Sequence, residues 1–123
     1  MDTSDAQILA EQYAELWNEP DETRRRVAIE RLWAPDGAHH VGVREAHGYE
    51  ALMQRVSGSH EKNVRHGKYR FRAAKDAKAL RDVVAFHWEM VEPATGRVAA
   101  TGLEMLLLDA NHKIRVDYQF IVG

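Results

Sequence analysis

Cysteine is missing from the sequence altogether. Disulfides, thiolate metal sites and cysteine nucleophiles are therefore excluded, and the absence fits a reducing compartment, so a cytoplasmic location is expected. Proline is scarce, at three residues, and no Pro-, Gly- or Ser-rich linker, internal repeat or low-complexity tract occurs. No apolar run approaches the roughly 20 residues that span a bilayer. The opening stretch MDTSDAQILAEQYAELW has neither the basic segment nor the apolar segment of a signal peptide. An excess of one charge is also lacking: the formal net charge is −2, which gives no global electrostatic case for nucleic acid or an anionic membrane. No Gly-rich phosphate loop, GxSxG elbow or HExxH pair is present.

What is present is enough for one core. A chain of 123 residues with 45% hydrophobic side chains can bury its own interior without staples, and one domain over residues 1–123 is expected. Residues 3–18 read as a helix, with Ile8, Leu9, Tyr13, Leu16 and Trp17 forming an apolar stripe. Thr3 or Ser4 would cap it, and Asn18 with Pro20 would end it. A second helix is predicted from Asp21 to Trp33, burying Val27, Ala28, Ile29, Leu32 and Trp33, with Glu22 and Arg26 paired at i, i+4. Pro35-Asp36-Gly37 is a turn signal that would stop it.

Ala38–Val43 is β-compatible, and Tyr49–Val56 reads as a third helix with Leu52, Met53 and Val56 inward. The period then changes to two. Lys68–Arg72, Val83–Val91, Val98–Leu108 and Lys113–Val122 are predicted strands, the middle pair joined through Glu92–Arg97. Helices first and consecutive strands later indicate α+β. Three N-terminal helices would pack on a strongly curved, mostly antiparallel sheet, leaving a cavity between them as the natural ligand site.

Four stretches carry a resemblance. Tyr13–Asp21 (YAELWNEPD), Leu32–Val41 (LWAPDGAHHV), Gly48–Leu52 (GYEAL), and Gly102-Leu103-Glu104 followed by Leu108–Ile114 (LDANHKI) resemble, in order, segments of nuclear transport factor 2-like proteins of the SnoaL-like type. The resemblance implies a cone-shaped fold with a central pocket. That superfamily includes ketosteroid isomerases, dehydratases, epoxide hydrolases, polyketide cyclases and non-catalytic binding domains, so fold analogy does not choose an activity. Set against ketosteroid isomerases, the resemblance puts their oxyanion tyrosine on Tyr13, their protonated acid on Glu104, and their catalytic base on Val41, which cannot accept a proton. Set against SnoaL-type cyclases, their acid–base aspartate falls on Gln119, and Asp117 is the nearest carboxylate on the same strand face.

Strand parity then selects His39, two residues from Val41, as the pocket-facing acid–base candidate, with His40 pointing away. The expected catalytic set is His39, Tyr13, Glu104 and Asp117; the expected ligand contacts are Trp17, Trp33, Val41, Met53, Phe86, Trp88 and Gln119. Each has an ordinary structural alternative: a core tyrosine with a satisfied hydroxyl, a strand-face salt bridge for Glu104 or Asp117, a neutral structural histidine for His39. No metal and no cofactor are expected, since His39 and His40 diverge on a strand and no second cluster follows. The Lys- and Arg-rich stretch from Lys62 to Arg81 alternates so that Tyr69 and Phe71 face inward; it reads as a solvated face rather than a nucleic-acid surface. The expected ligand is a small, mostly apolar, oxygenated compound. A homodimer through the outer sheet face is expected from Val83 and Val91.

Overall fold

The first helix, α1, spans Thr3–Leu16 and is capped one residue earlier than the sequence suggests. Asp2 accepts from the Asp5 amide at 2.8 Å while Asp5 reaches back to the Asp2 amide, a reciprocal capping box that leaves Thr3 and Ser4 inside the helix. Leu9, Tyr13, Leu16 and Trp17 are buried as expected, together with Ala6, Ala10 and Ala14. Ile8 is 53% exposed and does not belong to the stripe. Asn18 follows the helix and is itself buried: its amide accepts from the Phe71 N–H and donates to the Phe71 carbonyl, both at 2.7 Å, which fastens the end of α1 to a strand.

Helix α2 spans Glu22–Leu32, capped by Asp21, in the computed structural model, which describes residues 1–123. Its buried face is Arg25, Ile29 and Leu32; Val27 is 48% exposed, contrary to the predicted stripe. Arg26 does not pair with Glu22 but with Glu30 at 2.8 Å and with Glu50 at 3.0 Å, linking α2 to the third helix. The first strand, β1 (Trp33–Val41), begins at the very next residue. Pro35-Asp36-Gly37 therefore lies inside β1 rather than forming a separating turn, absorbed where the register shifts between Trp33 and Ala38.

β1 turns through Gly42 and Val43 into β2 (Arg44–His47), a short strand that the periodicity missed. Gly42 has φ of +57°, which the two-residue hairpin requires. Helix α3 (Tyr49–Ser59) runs on into a π-helical stretch over His60–His66, longer than predicted. The strands β3 (Arg70–Ala73), β4 (Lys78–Leu80), β5 (Val83–Val91), β6 (Val98–Leu108) and β7 (Ile114–Ile121) complete the chain. β5 and β6 match their predicted limits; β4 was not foreseen.

The sheet runs β2-β1-β7-β6-β5-β3, with β4 also paired to β5, and only the β1–β7 pairing is parallel. Its inner face carries Val84, Phe86, Trp88 and Leu106, which join α1, α2 and α3 in one hydrophobic cluster that includes Trp33 and Ile29. Each such large buried side chain contributes about 1.5–3 kcal/mol. The alternation of β5 puts Phe86 and Trp88 inward as predicted. Val91, however, is only 7% exposed and cannot offer an outer apolar face.

Candidate active site

Strand pairing assembles the site. His39 on β1 lies opposite Asp117 on β7, and Val41 opposite Gln119; β6 then places Glu104 opposite Gln119. Because side chains alternate, His39, Asp117, Gln119 and Glu104 gather on the helix-covered side. His40 points outward and stacks on Tyr118 at 5.3 Å between ring centroids. Arg115, two residues before Asp117, is exposed, since the register of β7 against β6 shifts between Leu107 and Leu108.

Two fully buried carboxyl groups sit behind Tyr13. The Tyr13 hydroxyl lies 2.5 Å from Asp117 Oδ2 and 3.1 Å from Glu104 Oε2, and the Trp88 indole N–H donates to Glu104 Oε1 at 2.8 Å. Burial raises the Glu104 carboxyl well above the ordinary glutamate range, and the neighbouring Asp117 adds to the effect, which favours its protonated form. Burial, with both acids nearby, raises the Tyr13 phenol as well, so it stays a donor rather than becoming a phenolate. Glu104 does not line the cavity; it reaches it through Tyr13. Asp117 Oδ1 is buried with no partner of its own.

His39 is 1% exposed, and its tautomer follows from its neighbours. A guanidinium N–H can only donate. Arg55 Nη1 lies 2.9 Å from His39 Nδ1, so Nδ1 accepts. The ring proton is then on Nε2, which donates to Gln119 Oε1 at 3.0 Å and stands 3.8 Å from Asp117 Oδ2. Burial lowers the basicity of His39; Asp117 opposes that and Arg55 reinforces it. The imidazole is neutral, with one lone pair capped by Arg55.

Tyr13, His39, Arg55 and Gln119 border a cavity of about 350 Å³; Asp117, like Glu104, is not part of its lining. Of the residues named from the sequence, Tyr13, Trp17, His39, Val41, Trp88 and Gln119 line the cavity. Three expected wall residues do not. Trp33 and Phe86 are fully buried in the core under the floor, because β1 starts at Trp33 and Phe86 packs against the Tyr13 ring at 5.5 Å. Met53 packs on the core from α3. The sequence reading missed Arg44, Arg55, Lys62 and Asn63, which also line the cavity. The last two sit on the π-helical stretch, closed by an i→i−5 bond from the Gly67 amide to the Lys62 carbonyl. Arg55 was detectable: it follows Leu52 by three residues, so it shares that inward face of α3.

His39, Glu104 and Asp117 offer ligand atoms within 4.8 Å of one another, and are the residues that could hold a metal ion. Most of their donor atoms are already engaged: Nε2 is protonated toward Gln119, and Tyr13 and Trp88 donate to the carboxyl groups, which leaves Asp117 Oδ1 alone without a partner. The donor set fits a proton-sharing cluster better than a coordination sphere.

No family model matches the sequence, and no curated protein matches it. Solved structures do. A candidate isomerase of the SnoaL-like family from Agrobacterium tumefaciens superposes with a TM-score of 0.86 at 22% identity, over 97% of this chain and 99% of that one. A candidate polyketide cyclase from Sinorhizobium meliloti gives 0.68 at 11% identity, over 98% and 100%. A de novo designed protein of the same fold gives 0.73 at 18% identity, over 97% of this chain and 85% of the design. A fold shared by natural and designed proteins alike does not carry an activity with it. Three helices against an unclosed seven-stranded sheet, with a pocket between them, give this chain the nuclear transport factor 2-like fold that it shares with SnoaL-like proteins.

Proposed function

We propose that the pocket is an acid–base active site that moves a proton next to a carbonyl of a small oxygenated ligand, as an isomerase or cyclase does, using this chain's own side chains. The observation that supports it is a buried neutral imidazole on the pocket wall, beside two buried carboxyl groups bridged by a tyrosine. In this reading Nδ1 of His39 takes a proton from the carbon adjacent to the carbonyl, and the C–H electron pair passes to the oxygen as an enolate. Asp117, 3.8 Å from Nε2, stabilises the imidazolium. Protonated Glu104 donates to Asp117 in place of Tyr13, which frees the phenol O–H for the developing oxyanion. His39 then returns the proton to carbon. Trp17, Val41, Trp88 and Gln119 hold the ligand.

The test is deuterium incorporation from D2O into a panel of ring ketones and aryl ketones, followed by NMR. His39→Gln should slow the exchange by about 10²–10⁴-fold while leaving the circular dichroism spectrum and melting behaviour close to wild type. Equal rates in the two proteins would sink the assignment.

The partner in this reading is a second copy of the chain. The surface for it is not Val83 and Val91 but the outward side of β7, where Tyr118 and Phe120 are 41% and 51% exposed. Such an apolar patch favours burial against another molecule. Sedimentation at micromolar concentration should show a dimer, and Phe120→Glu should convert it to monomer. A wild-type monomer under those conditions contradicts the proposal.

A further inference from the structure

The polar groups around the cavity have one sign of charge. Arg44, Arg55 and Lys62 line it, and no aspartate or glutamate does. None of the three pairs with a carboxylate, although acids outnumber cations in the sequence, 19 to 17. Elsewhere Arg26, Arg65, Arg70, Arg72 and Arg97 each have a carboxylate within 3.2 Å. Arg55 is half-buried, and its single side-chain hydrogen bond goes to a neutral imidazole. A guanidinium held in a cavity without a counter-ion is an incomplete pair. The indole N–H of Trp17, on the cavity wall and buried, also lacks an acceptor.

We infer that the ligand of this pocket carries a carboxylate, which Arg55 takes in its planar fork by leaving Nδ1 of His39, with Arg44 and Lys62 adding charge at the mouth. The remaining walls suit an aromatic or aliphatic body: Trp17, Phe71, Trp88, Met90 and Val41 surround it. A carboxylate fits better than a phosphate. The bidentate match to one guanidinium serves a carboxylate in full. A phosphate dianion would want a helix N-terminus, whereas α3 contributes Gln54, Arg55, Gly58 and Ser59 from its C-terminal half. The contact couples recognition to chemistry. While Arg55 donates to Nδ1 the base is capped; when the acid draws Arg55 away, the lone pair is exposed beside the ligand. This inference rests on the acid–base reading for the consequence of that release, but not for the anion contact itself.

The experiment titrates the protein with phenylacetate, 3-phenylpropionate and indole-3-acetate, with their primary amides and with phenylphosphonate, observed by calorimetry and by ¹⁵N NMR of the histidine rings. At least one acid should bind about tenfold or more tightly than its amide, and the Nδ1 resonance of His39 should move downfield as its hydrogen bond is lost. Arg55→Met should bring acid and amide to within about twofold, and Arg55→Lys should keep part of the preference. Wild-type-like melting of both variants keeps the comparison valid. Amides binding as tightly as acids would overturn the inference, and so would a preference for the phosphonate, an unmoved Nδ1 signal, or no binding by any acid. Equal binding of acids and amides leaves the acid–base reading intact. Acid-selective binding with no deuterium exchange removes that reading and keeps this one.

Discussion

Gly102→Ala should destabilise the protein by about 3 kcal/mol or more, a larger loss than one added methyl group ordinarily causes. Gly102 is buried on β6, directly opposite Trp88 on β5, and the indole lies flat across it. A Cβ at this position would come within 2.1 Å of two indole carbons and 2.5 Å of Nε1. The ring would have to leave. Its N–H would then lose Glu104, and its edge contact with Phe71, at 5.6 Å, would be disturbed. Overpacking costs about 1–3 kcal/mol, and the lost hydrogen bond to a buried group adds about 1 kcal/mol or more. In a domain of this size the melting temperature should fall by roughly 10 °C, with a change in tryptophan fluorescence. A loss within the usual ±0.5 kcal/mol of a neutral surface substitution would mean the ring can stand elsewhere.

Replacing Glu104 separates hydrogen bonding from charge. Glu104→Ala leaves the Trp88 N–H and the Tyr13–Asp117 pair short of a partner inside the core, at about 1–3 kcal/mol for each unsatisfied group, plus a cavity. We expect a total near 4 kcal/mol. Glu104→Gln keeps the shape and offers an oxygen to Trp88 and an amide N–H to its other neighbours. The sign of the pH dependence follows from the raised folded-state pKa of Glu104. The native state holds the Glu104 proton more tightly than the unfolded chain, so the stabilisation is complete below the ordinary glutamate range. It declines as pH rises toward the folded-state value. Glu104→Gln has no proton to lose. Its stability relative to wild type should therefore improve as pH rises above the ordinary glutamate range, read in denaturant titrations from pH 4 to pH 8. A difference that stays flat across that range would show that Glu104 is ionised in the fold.

The elements readable from the sequence were those that one periodicity decides. β5 and β6 alternate over nine and eleven residues and were delimited correctly. β2 and β4 are four and three residues long, too short to show a period, and exist because a longer strand beside them supplies the partner. Trp33 satisfies the helical stripe of α2 and also starts β1, so its spacing pointed to a wall while its packing put it in the floor. Parity placed His39, Asp117 and Gln119 on one side, and the structure brings them together. Parity could not show that Tyr13 and Glu104 bond to each other, or that Arg55 reaches His39. Both depend on how a helix is seated on the sheet, which no local pattern encodes.

The parallel pairing of β1 with β7 also sets the order of assembly. The bonds that define the site join residues separated by 80 positions for His39 and Gln119, and by 104 for Tyr13 and Asp117. Closing loops of that length is entropically slow. The helices and the β5–β6 hairpin can form from local contacts, but β1 has only the short β2 beside it until β7 inserts between it and β6. Until then Glu104 and His39 remain hydrated and titrate as ordinary side chains. Recovery of the shifted Glu104 carboxyl during refolding should therefore lag behind recovery of helix, as a late step whose rate reports the docking of one strand.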